Sequence, residues 1–207
     1  MNNKTIAVLA IAGAIGAGCA AMATSDEQYS AQALAMMRTS FRESGQAKLD
    51  RLDQDDMQRV CSSYASAPLP RDVADKLEKA QQALIRFPAD GKLLGDWKSG
   101  ERIAQTGTGK QFSDDPAVAS GANCYACHQL TRAELSFGTI GPPLYNFGKL
   151  RGYTPEMQRY AWSKVYNSQA FSACSNMPRF GHAGILTEAQ MKDVVALLMD
   201  PDSPVNK

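Results

Sequence analysis

Cys124-Tyr125-Ala126-Cys127-His128 places two thiols three residues apart and an imidazole directly after the second. This is the pattern by which c-type haem is attached: each sulfur adds to one vinyl group, and the adjacent histidine comes under the ring to bind iron. Two other uses of a CxxC pair compete. Half of a zinc site would need a second cysteine pair, which Cys19, Cys61 and Cys174 do not supply. A thioredoxin-like dithiol would need a βαβ frame, whereas Gly, Asn and polar residues surround this motif. One covalently attached haem c is expected, with Cys124, Cys127 and His128 holding it.

The iron's second axial position needs a donor from elsewhere in the chain. Met177 lies in Cys174-Ser175-Asn176-Met177-Pro178-Arg179-Phe180-Gly181, a non-helical setting stiffened by the following proline and glycine. Most of the nine methionines read as core fillers or leader residues. Met157 is one of these, sitting in an apolar helical stripe. His182 is the competing ligand, because it is the only histidine besides His128. His/Met ligation would give the higher reduction potential.

Between motif and ligand runs Thr139-Ile140-Gly141-Pro142-Pro143-Leu144, where two prolines lose their amide protons but keep their carbonyls. A carbonyl here can accept the second ring proton of His128, fixing its tautomer and raising its basicity; a plain rigid loop is the alternative. Trp162 and Tyr153 are candidate donors to the haem propionates, with Trp162 wrapping the haem edge.

Helices must position these groups. Thr154-Pro155-Glu156 starts one, with threonine as cap and proline at the first helical position. Thr187-Glu188-Ala189-Gln190 is a capping box opening a final helix to Asp200-Pro201, whose expected packing partner is the helix around Gly100 to Ala104. Further upstream, Ser25-Asp26-Glu27-Gln28 reads as another capping box, leading a helix through Phe41. Helical patterns also cover Lys48 to Arg59, with Leu49, Leu52, Met57 and Val60 on the inner side, and Arg71 to Phe87, with a Ser/Ala/Pro-rich break between them. Neither internal repeats nor a strand pattern is visible. The expected organisation is a leader over 1–23, a helical extension over 24–90 and a monohaem domain over 91–207.

The first 23 residues combine Lys4, an apolar run from Ile6 to Ile15 and the small-x-small site Ala21-Met22-Ala23. They read as a secretory leader cleaved near Ala23, which implies the periplasm. The run is short for a membrane span. Acylation of Cys19 is the lesser alternative, since Gly16 replaces the large apolar residue usual three positions before a lipidated cysteine. Composition is that of an ordinary globular protein, 44% hydrophobic and 21% charged. Losing Lys4 takes the formal charge from +1 to 0, which gives no argument for nucleic acid.

With two cysteines on haem and Cys19 gone, Cys61 and Cys174 remain. In an exported protein an even remainder suggests a disulfide. A bridge to another subunit, or a free thiol, is the alternative.

Taken in order, Gly100-Glu101, Cys124 to His128, Thr139 to Leu144, Met177-Pro178-x-Phe180-Gly181 and the final helix resemble the class I cytochromes c over residues 91–207. The resemblance implies an all-α fold whose first and last helices cross beside the haem. It also implies Pro142 as the carbonyl partner of His128, and His128 and Met177 as iron ligands. More narrowly, Met177 to His182, Gly184 to Thr187, Asp193 to Leu198 and Asp200-Pro201-x-Ser203-Pro204-Val205-Asn206 resemble the SoxX family.

That resemblance implies an electron-transfer subunit in a heterodimer with SoxA. Thiosulfate would be coupled oxidatively to a carrier-protein cysteine on the SoxA side, and the electrons passed to a soluble cytochrome c. No general acid, base or nucleophile is poised by motif here, in keeping with a non-catalytic subunit. A free-standing carrier, or a haem enzyme or gas-binding module with a labile distal ligand, remains open. In a complex, the extension and an apolar rim near Phe180 are expected to bury against the partner.

Overall fold

The computed structural model describes residues 26–207, and the chain divides after Phe41 into two units. The described part of the first is one helix, α1 (Asp26–Ser40), with Tyr29, Leu34 and Met36 exposed. The leader, Cys19 and the Ser25 cap lie outside the described residues.

The second unit, from Arg42 onward, is helical, and no strand occurs among the described residues. This is the expected all-α fold. Its helices are α2 (Asp56–Ser63), α3 (Arg71–Gln82), α4 (Trp97–Gln105), α5 (Phe147–Arg151), α6 (Pro155–Tyr166) and α7 (Glu188–Met199). No described helix is long and apolar enough to cross a membrane.

The cap chemistry sets the starts of the helices that frame the core. Thr187 accepts from the Gln190 amide while the Gln190 side chain accepts from Thr187 N–H, so α7 begins with two of its free donors satisfied. Seven of its twelve residues are buried, which makes it the central helix. Asp96 caps α4 by accepting from the amides of Lys98 and Ser99. The Thr154 hydroxyl, with Pro155 at the first position, starts α6.

The α4–α7 pair is the most extensive helix contact of the fold, and its closeness depends on Gly100. A β-carbon there would fall 2.0 Å from the Asp193 carbonyl oxygen and 3.1 Å from Leu197 Cβ, so only a bare backbone fits. Asp193 ties the same crossing from the other side, its Oδ1 accepting from Asp96 N–H at 2.8 Å. Leu93, Phe147, Trp162, Val165 and Phe180 pack with α7 to complete the core.

Several expectations are corrected here. Residues 48–60 are not one helix: a 3₁₀ turn at Leu49–Leu52 is followed by extended backbone at Asp53, and α2 starts afresh at Asp55. The Asp55 carboxylate accepts from Gln58 N–H, and an aspartate that caps locally ends whatever precedes it. α3 stops at Gln82 rather than Phe87. Phe180 is buried in the core, 6% exposed, and forms no surface rim.

Residues 42–90 pack on the rest of their own unit. Cys61 of α2 is bonded to Cys174, closing a loop of 113 positions, which limits denatured-state entropy by roughly 4 to 5 kcal/mol in the chain-entropy model. Trp162, 1% exposed, donates its indole N–H to the Arg86 carbonyl at 2.8 Å. That donor is spent on the extension, so the propionate role considered for Trp162 is withdrawn.

Candidate haem site

The motif occupies a single 3₁₀ turn, Cys124–Ala126, entered through Asn123 in the left-handed conformation. The turn closes with Cys127 N–H and His128 N–H both donating to the Cys124 carbonyl, at 3.1 and 2.9 Å. Two thiols and an imidazole are thereby held on one short, fixed piece of backbone. Both cysteines are unbonded and half-buried.

Burial pushes the Cys124 thiol up to about 12, with Cys127 adding to the rise against the pull of Cys124's own backbone N–H. An exchange-active dithiol uses a lowered thiol pKa, and the direction at Cys124 is the opposite. The zinc alternative loses its ligands, because the described residues contain no group of three or more His, Cys, Asp or Glu able to hold a metal.

His128 Nδ1 lies 2.7 Å from the Pro142 carbonyl oxygen. A carbonyl can only accept, so Nδ1 carries the proton and Nε2 keeps the lone pair that an iron ligand requires. Gly141 makes the contact feasible: a β-carbon there would sit 2.1 Å from Cε1 and 2.4 Å from Nδ1 of the ring. The loop is locked to the motif by Gly141 N–H donating to Cys127 O at 2.8 Å and Gly138 N–H donating to Tyr125 O at 2.9 Å. Gly138 is as confined, its absent β-carbon falling 1.8 Å from Ala126 O. Two free thiols, an oriented imidazole and a glycine cradle fit a c-type haem bound on its proximal side.

Met177 lies in the loop after α6, half-buried against the core. Its carbonyl accepts from the Ser168 hydroxyl at 2.6 Å and its N–H donates to Ser175 Oγ at 3.2 Å, so the backbone is pinned on both sides of the thioether. His182 is exposed; its backbone N–H donates to Tyr166 O. Partial desolvation of the ring and the Arg179 charge hold its imidazole below the ordinary range, against Asp55. Met157 is half-buried against the core, and Tyr153 covers Gly148, where a β-carbon would meet its ring at 2.4 Å.

Sequence reasoning did not single out Asp55 and Arg179, which pair at 2.6 Å beside the Met177 loop. Their 124-residue separation leaves no local trace; the only available signal was an arginine inside the methionine loop. Nor did it single out Gly141 beyond its place in a turn.

An all-helical domain with a thiol pair, an oriented histidine and a pinned methionine loop defines a c-type haem protein. The family model for cytochrome c matches residues 109–200. Over its whole length the chain is also similar to an uncharacterized lipoprotein of Aquifex aeolicus (strain VF5), 34% identical over 211 residues that cover all of both proteins. The chain belongs to the family of that relative, and residues 109–200 form its cytochrome c domain. Such a domain implies covalently bound haem c and points to electron transfer.

Proposed function

We propose that this protein is an exported, single-haem electron carrier whose iron is closed on both faces by His128 and Met177. The observation that carries the reading is the proximal lock. Nδ1 of His128 is committed to Pro142 O at 2.7 Å, leaving Nε2 for iron beside two unbonded thiols. A haem bound here would supply one-electron chemistry, and His128 and Met177 are the residues that would hold its iron. The chain's own residues fix the macrocycle, hold the proximal proton and keep substrate off the metal. The optical spectrum tests this: ferric protein should show the far-red methionine–iron band, ferrous protein should not bind carbon monoxide quickly, and Met177→Ala should abolish the band. An unchanged band in Met177→Ala would move the assignment to His182.

The match of Met177 to His182 and of the final helix to SoxX supports a finer reading as the carrier subunit of a SoxXA-type thiosulfate-oxidising heterodimer. SoxA would carry the reacting site and a soluble cytochrome c would take the electrons. Co-purification of a second haem-bearing chain tests it, and a monomer in native extracts sinks it. The relative's description as a lipoprotein favours a lipid on Cys19 over cleavage at Ala23. In that case Cys19→Ser should release the protein from the membrane fraction, and equal solubility of the two forms would restore the Ala23 site.

A further inference from the structure

Within the extension, α2, α3 and the Asp55 cap direct their polar and covalent links to the segment that carries Met177. Asn167 Nδ2 donates to Gln81 Oε1 at 2.9 Å, and Gln82 Nε2 donates to Ala170 O at 2.8 Å. Ala173 N–H donates to Glu78 Oε1 at 3.0 Å, Cys174 is bonded to Cys61, and Arg179 pairs with Asp55. These partners lie on α2 and α3 or at their caps, and they bracket Met177 from ten residues before it to two residues after.

The bracketed segment has little regular structure of its own. Beyond one 3₁₀ turn at Ser168–Ala170 it is loop, and Cys174 adopts φ +61, a left-handed conformation that a β-carbon disfavours. Such a residue persists where its surroundings over-determine it, and here the disulfide does so. Ser168 and Ser175, the two hydroxyls that pin Met177, lie inside the bracket.

We propose that α2 and α3 are a clamp that positions the Met177 thioether, with Cys61–Cys174 as its fastener. The clamp rests on the reading of Met177 as the distal iron ligand. A dithiol reductant opens the fastener: it delivers two electrons and two protons to the disulfide, gives two thiols and itself becomes a cyclic disulfide. Cys61 and Cys174 are both half-buried rather than enclosed, so a small dithiol can reach them. With the fastener open, the loop should release the thioether and expose the iron's distal face.

The test uses the intact holoprotein. It is reduced with dithiothreitol, its thiols are counted and alkylated with iodoacetamide, and the ferrous form is mixed with carbon monoxide. A second portion is reoxidised with ferricyanide for the far-red band. We expect two alkylated thiols, carbon monoxide binding at least tenfold faster than in untreated protein, and a weakened band. The same release is expected in Cys61→Ser/Cys174→Ser. Should that variant fail to fold, the reduced wild type carries the test, since it folds before the bond is cut.

Glu78→Ala is expected to weaken the band in part and Glu78→Gln to restore it, because an amide oxygen can still accept from Ala173 N–H. Two free thiols with an unchanged band and unchanged carbon monoxide kinetics would overturn the clamp alone, provided Met177→Ala has lost the band. A band retained in Met177→Ala would overturn both the ligand and the clamp.

Discussion

Gly141→Ala is the sharpest perturbation available at the proximal side. The new methyl carbon would lie 2.1 Å from His128 Cε1, 2.4 Å from Nδ1 and 2.7 Å from Nε2. Carbon atoms rest at about 3.5 to 4.0 Å, so the ring must retreat by more than about 1 Å. The loop cannot absorb the shift cheaply, because Gly141 N–H is bonded to Cys127 O at 2.8 Å, inside the motif itself. Retreat from a 2.7 Å contact takes Nδ1 beyond the roughly 3.2 Å limit of a good bond to Pro142 O.

That bond is worth about 1 kcal/mol net, and with His128 as the proposed iron ligand it would raise the ligand's basicity, which would favour ferric iron. If most of it distinguishes the two oxidation states, its loss raises the reduction potential by about 40 mV, taking 59 mV per tenfold for one electron. Redox titration of haem-loaded protein measures this, with Pro142→Ala as control because alanine keeps the carbonyl. A Gly141→Ala protein that incorporates haem fully and keeps its potential within about 10 mV of wild type would refute the argument, since its lost bond alone calls for several times that shift.

Other perturbations follow from the same geometry. Gly100→Ala should destabilise by about 2 kcal/mol or more in thermal unfolding, although alanine gains up to about 1 kcal/mol in a free helix, because overpacking the α4–α7 crossing dominates. Thr187→Ala should cost about 1 kcal/mol, read in the same assay, by leaving the first turn of α7 without its cap.

The acid limb carries a sign. Burial raises the Asp55 pKa, but the Gln58 N–H and the Arg179 charge outweigh it and hold the carboxyl below its ordinary value. The Asp55 contribution to stability is therefore complete above about pH 4 and lost as pH falls through the lowered folded value. Asp55→Asn should flatten the stability change across that acid range in circular-dichroism titrations, and identical acid profiles for the two proteins would count against the pairing.

The helices with caps and the covalent motif were legible because their information is local. Thr154-Pro155 and Thr187 with Gln190 each satisfy backbone donors within three residues, and Cys124 to His128 is a five-residue statement of haem chemistry. What stayed hidden is carried by distance. The Asp55–Arg179 pair and the Trp162–Arg86 bond join residues 124 and 76 positions apart, so no window of sequence contains both partners. Trp162 is a candidate for the haem in sequence because an aromatic near the site fits either use, and only packing decides which acceptor its N–H finds. The stretch from Lys48 to Val60 misled for another reason: its apolar spacing is helical, but Asp53 and Asp55 compete locally for the backbone.

Cys124's buried thiol has a consequence for the order in which the protein matures. Of the single disulfides possible among Cys61, Cys124, Cys127 and Cys174, only Cys61–Cys174 leaves both motif thiols free, and it is the one the structure contains. Burial also pushes the Cys124 thiol up, away from the thiolate through which disulfide exchange runs. The fold thus sorts its own sulfurs by position. It closes the distant pair and leaves Cys124 and Cys127 unbonded for the haem they would hold.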